Sequence, residues 1–476
     1  MARDTEIESS RNYLKPAAVL VLAFLVRLTF LNYNGPFVDE SFYSIALKYG
    51  NVHYLIGEVY LWPAVAYFAY EINGAGGMRL VAALLGTLSV WVVYGITLSF
   101  IQQQMSAQNE HRVGLFATLI FALSAPPLYV SCLGTYDAMA DMFLLLGLWQ
   151  LLRGMDKHRS MTLIGASMSI AIAFMTRYHC IIYLPLLFFY VIYEVLSKRM
   201  SYRLGFVFLA TLTAIVGGYI LLRYEHVLSS IIYAREQATR LSEGRPAYEI
   251  IGAVLSIAPV EALFAAIGAG ICAFQIRQIR AIRKAAALIF LIFGALTASV
   301  YHVSENHQRG LVKNLCISMA FAAPFIGVGL NRLWDLVGRW TKRNHVSTLI
   351  LIILLSGLYI HSRSVFERFQ MWPDWTNVAP VIQSLGLAEK EIWCTRGHNV
   401  WQLRREIGEN VNVDSPWLAP DPILVLQLAA EKRIPVVVGP LWWHDLKIGA
   451  EIHGYHVAAV VKVPRGRPVY IFKRVR

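Results

Sequence analysis

Eleven separate runs of apolar residues divide this chain, at 16–33, 80–101, 113–131, 138–153, 160–176, 180–197, 204–223, 249–273, 285–301, 311–330 and 347–362. Crossing about 30 Å of hydrocarbon takes roughly 17–25 helical residues, so most of these runs are of spanning length and a few are short. In lipid the backbone must satisfy its own hydrogen bonds, which leaves helices or closed barrels. Runs this long and continuous predict helices. Composition agrees: 57% of the 476 residues are hydrophobic and 15% charged, against ~45–50% and ~25% in soluble chains. The reading is an α-helical polytopic membrane protein with about 11–13 spans.

Charge then sets topology. The chain carries a net charge of +13. Its basic residues fall in short gaps, "RGMDKHRS" (153–160), "SKRMSYR" (197–203), "RQIRAIRK" (277–284) and "NRLWDLVGRWTKRNH" (331–345). Such gaps stay in the cytoplasm, and they reach anionic lipid heads. No basic stripe with interleaved aromatics is present, so nucleic acid is not an expected partner. The N-terminus, with Arg3, Arg11 and Lys15, reads as cytoplasmic and as a retained signal-anchor. An odd number of spans puts the C-terminus outside, in the plasma (inner) membrane. "YLWPAVAYFAYEI" (60–72) is short for a span and reads as an interfacial helix. If it spanned, every later loop would invert. The five cysteines form no metal spacing or disulfide framework and read as small hydrophobes.

After 363 the pattern changes to short β-branched strands alternating with helical stretches. This predicts a small extracytoplasmic α/β domain. The expected division is a membrane domain at 1–363, with a first outer loop at 34–79, and a soluble domain at 364–476.

That first loop contains "GPFVDESFYSIALKYG". Asp39 is placed to cap a helix beginning at Glu40, and an acid there suits the helix dipole. The functional alternative is a general base at the membrane surface. Other ionisable residues gather on the same predicted side: Glu58, Arg79, Asp137, Asp141, Arg177, His179, Arg223, Glu225, His226, His302, Glu305, His307, Arg309 and Lys313. Any one of them reads as an interfacial charge; the set points to chemistry. Glycosyl transfer from a lipid-linked phosphosugar fits it. A carboxylate deprotonates the acceptor hydroxyl, and Arg and Lys stabilise the departing phosphate. Nucleotide sugars are cytoplasmic, and the chain has neither a P-loop nor a GxGxxG after a strand.

The order of motifs resembles the GT-C superfamily of membrane glycosyltransferases. The likeness is to the branch with dolichyl-phosphate-mannose–protein mannosyltransferases and lipid A aminoarabinose transferases. It rests on "PFVDESFYSIA", "MRLVAALLGTLSVWVVYGI", "YVSCLGTYDAMADMFLLLGLWQLLR", "AIAFMTRYHCIIYLPLL" and "HQRGLVKNLCISMAFAAPF", across residues 16–335. The resemblance implies a GT-C fold and a catalytic base at Asp39. Glu40 would be its acidic partner and Asp137 a second acid near the acceptor. Arg79, Arg177, Arg309 and Lys313 would recognise the donor phosphate or position the first loop. Glu58 and His226 match loosely the place where some members bind a divalent metal. Those members have Glu-Lys-Pro-Pro, whereas this chain has "EVYLWP", and other members work without metal.

The implied activity is an inverting transfer of a sugar from a polyprenyl-phosphate donor to a hydroxyl on a protein, lipid or glycan. A lipid-linked sugar transporter or flippase is the alternative. It predicts ionisable residues at the bilayer midplane, repeat symmetry and broken helices, for which Pro185 and Pro259 are candidates. A lipid-linked polymer ligase shares the donor type, and the Asp-Glu loop argues against it.

Overall fold

The computed structural model describes residues 2–31, 40, 43, 61–104, 110–225, 227–229, 232, 244–279, 282–306, 308, 310–341, 344–369, 375, 377–394, 403–404, 406–408, 410–412, 422–440, 446–463 and 468–475. They fall into two compact units. One takes the described residues of Met1–Phe30, His53–Trp62 and Arg79–Glu367; the other takes those of Leu31–Val52, Pro63–Met78 and Arg368–Arg476.

The helices are α1 Ala2–Leu28, α2 Leu61–Gln104, α3 Glu110–Leu123, α4 Ala125–Ser131, α5 Asp137–Asp156 and α6 Ser160–Thr176. A 3-10 turn, Tyr178–Tyr183, leads into α7 Leu184–Leu196, α8 Tyr202–Leu222, α9 Ala247–Ile257, α10 Pro259–Ile279, α11 Ile282–Ser304, α12 Leu311–Thr341 and α13 Asn344–Phe369. Each of the eleven predicted runs is helical over most of its described residues, but not all are straight spans. Among the described residues seven helices are long and apolar enough to cross a membrane, or up to nine spans if each bent pair is one. α3 and α4 meet at 60°, and α9 and α10 at 95°. Prolines cause both bends: Pro126 and Pro127 open α4, and Pro259 opens α10, where a missing N–H costs nothing. α6 has only 17 residues, and the run at 16–33 continues past the described part of α1. Of the expected interfacial helix at 60–72, the described residues 61–72 are helical within α2, which is interrupted by non-helical Asn73 and Gly74.

α12 is the central helix. Its apolar stretch is 89% buried, against 22% for α8 and for α13, so the latter two present side chains to lipid. Close approach is made by glycine. A Cβ on Gly268 of α10 would overlap the Phe325 carbonyl oxygen of α12, and one on Gly154 of α5 would stand 2.8 Å from Leu163 Cδ2 of α6. Without a strong hydrophobic drive inside lipid, such small-residue packing holds helices together. Arg27, fully buried near the end of α1, is tied down by Nε donating to Ser131 Oγ at 2.9 Å and Nη1 donating to the Ala23 carbonyl at 2.9 Å.

The second unit carries a six-stranded sheet: β1 Ile392–Cys394, β2 Val411–Asn412, β3 Val436–Pro440, β4 Glu451–Ile452, β5 Tyr455–Val461 and β6 Val469–Arg474, in the order β2-β1-β3-β6-β5-β4. β1 pairs parallel with β2 and β3; β6 runs antiparallel to β3 and β5. Side chains alternate across it. Val436, Val438 and Ile471 pack with Val378 and Ile382 of the short helix α14 Val378–Ser384 on one face. Val437, Tyr470 and Phe472 pack with Val425, Leu426 and Ala429 of α15 Pro422–Glu431 on the other. Both faces are covered, giving the expected small α/β layer structure.

Candidate active site

Asp137 is the first residue of α5, where the positive end of the helix dipole favours an anion. Arg177 follows the last residue of α6, where the negative end favours a cation, and its extended backbone turns the chain out of the helix. Lys313 and Asn314 lie in the first turn of α12, and His302 in the last turn of α11. Four helix ends thus deliver these groups to one place.

The Asp137 side chain is completely buried and bears three polar contacts. Arg177 Nε lies 3.2 Å from Oδ1, Lys313 Nζ lies 2.9 Å from Oδ2, and Thr135 Oγ1 donates to Oδ2 at 2.7 Å. A cation in the first turn of a helix faces an adverse dipole, and Asp137 compensates Lys313 for it. Arg177 Nη2 donates to Asn314 Oδ1 at 2.5 Å. That fixes the amide, so Asn314 Nδ2 faces His302 Nε2 at 2.8 Å. An amide nitrogen can only donate, hence this imidazole nitrogen accepts and carries no proton. Arg177 also sits over the Tyr136 ring, 6.0 Å from its centroid. Burial works against the charge on Arg177, but Asp137, Tyr136 and Asp141 outweigh it and hold its pKa above the usual guanidinium value.

One turn deeper, Asp141 is buried, and neither of its oxygens has a close hydrogen-bond partner among the described residues. Arg177 Nη1 is 3.9 Å from Oδ1, and Asp137, the Cys316 thiol and Lys313 also act on it. Exposure differs among the members in a telling way. Lys313 is 14% and Arg177 10% exposed, while Asp137 is 0%. The carboxylate is sealed behind two cations whose edges stay accessible, an arrangement suited to meeting an anion.

Among the expected site residues, Asp137, Arg177 and Lys313 are therefore brought together. Glu40 is buried. Arg79 is buried and close enough to Cys132 to act on it electrostatically. Asp39, Glu58, His226 and Arg309 lie outside the described residues. Among the described residues no three His, Cys, Asp or Glu side chains converge as a metal-holding group. Asn314 and Thr135 escaped the sequence reading. A polar amide one residue after Lys313, at the start of an apolar run, was the available signal.

Residues 60–217 match the family model described as dolichyl-phosphate-mannose-protein mannosyltransferase. No curated protein sequence matches the chain. Among solved structures, ArnT from Cupriavidus metallidurans bound to undecaprenyl phosphate is similar over 96% of this chain and 97% of its own, at 15% identity and a TM-score of 0.61. The chain has the GT-C fold. A second GT-C structure is the archaeal oligosaccharyltransferase AglB from Archaeoglobus fulgidus, in complex with an inhibitory peptide and a dolichol-phosphate. It covers 89% of this chain and 69% of its own at 11% identity, with a TM-score of 0.56. Within this GT-C fold the family-model match takes in α5, α6 and the Asp137–Arg177 pair. Lys313 and Asn314, which complete the cluster, lie beyond it.

Proposed function

We propose that this integral membrane protein is an inverting glycosyltransferase using a polyprenyl-phosphate-linked sugar and a hydroxyl acceptor on the outer face of the membrane. The observation that carries the reading is the Asp137 cluster: two partly accessible cations, Arg177 and Lys313, backed by a buried carboxylate, at helix ends within a GT-C fold. In this reading the cations meet the phosphate as the bond from the anomeric carbon to its oxygen breaks. The acceptor oxygen forms the new bond, its proton passes to Asp39, and the lipid phosphate leaves with the electron pair. One displacement inverts the anomeric centre, since retention needs a second, nucleophilic carboxylate. Glu40 supports the base, Arg79 and Arg309 assist donor binding or loop placement, and Glu58 with His226 mark where a divalent metal would be held. The N-terminus is then cytoplasmic and the sheet-bearing domain at 364–476 extracytoplasmic. Of the candidate acceptors, a hydroxyl on protein, lipid or glycan, none is preferred.

The test is Asp39→Asn in mild detergent. Lipid mass spectrometry of this variant is expected to find a polyprenyl-phosphate monosaccharide, and transfer is expected to stop while folding and donor binding persist. Transfer at the wild-type rate overturns the role of Asp39. A lipid-linked sugar transporter is the second reading, favoured by the two bent span pairs. Movement of the intact donor across vesicles, without sugar transfer, supports it.

A further inference from the structure

The α5–α6 hairpin carries Asp137 and Arg177 at one end. At its other end, the turn from Lys157 to Arg159, lies a pocket of about 230 Å³. α5 supplies Trp149, Gln150 and Arg153, with Arg153 four and three residues after the first two; Lys157, which caps the helix, follows one turn later, and the turn and α6 add Arg159 and Thr162. The close packing at Gly154 and Gly147 pins the two helices together along another line, so the pocket is a fixed feature of the hairpin.

The lining has three cations and no carboxylate. None of the three makes an ion pair within 4 Å among the described residues. Arg153 lies over the Trp149 ring, 5.6 Å from its centroid, and Gln150 is held by a hydrogen bond from Ser169 Oγ at 3.0 Å. The site therefore has a cationic rim, an oriented amide and an aromatic wall. α5 is a spanning helix that ends at Asp156, so the rim stands where a span meets water and the Trp149 wall runs towards the apolar part of the helix. Tryptophan prefers that level of a bilayer, and basic pockets between spans suit phosphate headgroups.

We propose that this pocket binds the headgroup of an anionic phospholipid, with Arg153, Lys157 and Arg159 on the phosphate, Gln150 and Thr162 donating to headgroup oxygens, and Trp149 against the glycerol and upper acyl chain. A lipid there clamps the hairpin whose opposite end holds Asp137 and Arg177. This ligand site stands independently of the transfer reaction.

The test places full-length protein in vesicles of equal phosphatidylglycerol and phosphatidylcholine, extracts it gently and measures retained lipid by mass spectrometry. Wild type is expected to retain phosphatidylglycerol preferentially, and each of Arg153→Gln, Lys157→Gln and Arg159→Gln to lower that preference by about fivefold. The charge-keeping triple variant Arg153→Lys, Lys157→Arg, Arg159→Lys should keep most of it. Excess inorganic phosphate should leave the ratio unchanged, because a free anion lacks the apolar contacts. Displacement by phosphate identifies a soluble anion as the ligand and overturns the lipid assignment. So does an unchanged ratio in the glutamine variants. Should those variants fail to fold, a headgroup-photoreactive phosphatidylglycerol must crosslink wild type within 146–162; crosslinks confined to other segments also overturn the proposal.

Discussion

Replacing Asp137 by Asn keeps the shape of the side chain and removes its charge, leaving Arg177 and Lys313 facing each other across a buried amide. At an effective dielectric near 20, a unit charge pair at 2.9 Å attracts by about 6 kcal/mol and one at 3.2 Å by about 5 kcal/mol. Desolvation offsets much of that while the cluster is intact. Once the anion is gone, the offset remains and the attraction does not. Breaking a buried pair by removing one partner costs about 3–5 kcal/mol, and here one substitution takes the nearest anion from two cations, of which Arg177 keeps Asp141 at 3.9 Å. Each retains some exposure, which relieves part of the penalty, so about 3 kcal/mol is expected. The chain supplies its own probe. All five cysteines, Cys132, Cys180, Cys272, Cys316 and Cys394, are buried and free, so a maleimide dye reacts only on unfolding. Asp137→Asn should unfold at clearly lower temperature than wild type. Adding Lys313→Met, which removes one of the two cations that Asp137 balanced, should restore a substantial part of the loss. A single variant that melts with wild type refutes the account of the cluster as a charge-balanced unit. So does a double variant that melts below the single one.

Two further expectations test packing and the sheet. Gly268→Leu must push α10 away from the Phe325 carbonyl and should cost at least about 1–3 kcal/mol. Gly217→Leu, where nothing lies within 4 Å, should be close to neutral, and equal effects on dye-monitored melting would discount the close approach. Tyr455 is buried and its hydroxyl donates to the Ile434 carbonyl at 2.7 Å, so Tyr455→Phe should cost the sheet about 1 kcal/mol. Burial pushes this phenol up to about 12. Between pH 10 and about 12 the unfolded chain releases the proton first, so wild type loses stability as pH rises through that window. The Phe variant lacks that loss, and a pH series of melting temperatures with identical slopes for the two proteins contradicts the assignment.

The sequence by itself determined the class of this protein, because its signals are local. A run of spanning length must become helix in lipid whatever its neighbours do, and each of the eleven runs is helical over most of its described residues. The change of period after 363 likewise gave strands at Ile392–Cys394, Val436–Pro440 and Val469–Arg474. It also offered Asp137, Arg177 and Lys313 as ionisable residues at predicted span ends, but as separate members of a long set. Tertiary structure decided which of that set act together. Asp137 and Lys313 are 176 positions apart, and only the packing of α5, α6 and α12 brings them to 2.9 Å. No periodicity encodes that distance. The same holds for Asn314, which gains its role from Arg177 on one side and His302 on the other. The bends fall between these cases. Pro259 was legible as a breaker, since a missing N–H is local, but its 95° angle was not, because the direction of a broken helix is set by the helices it packs against.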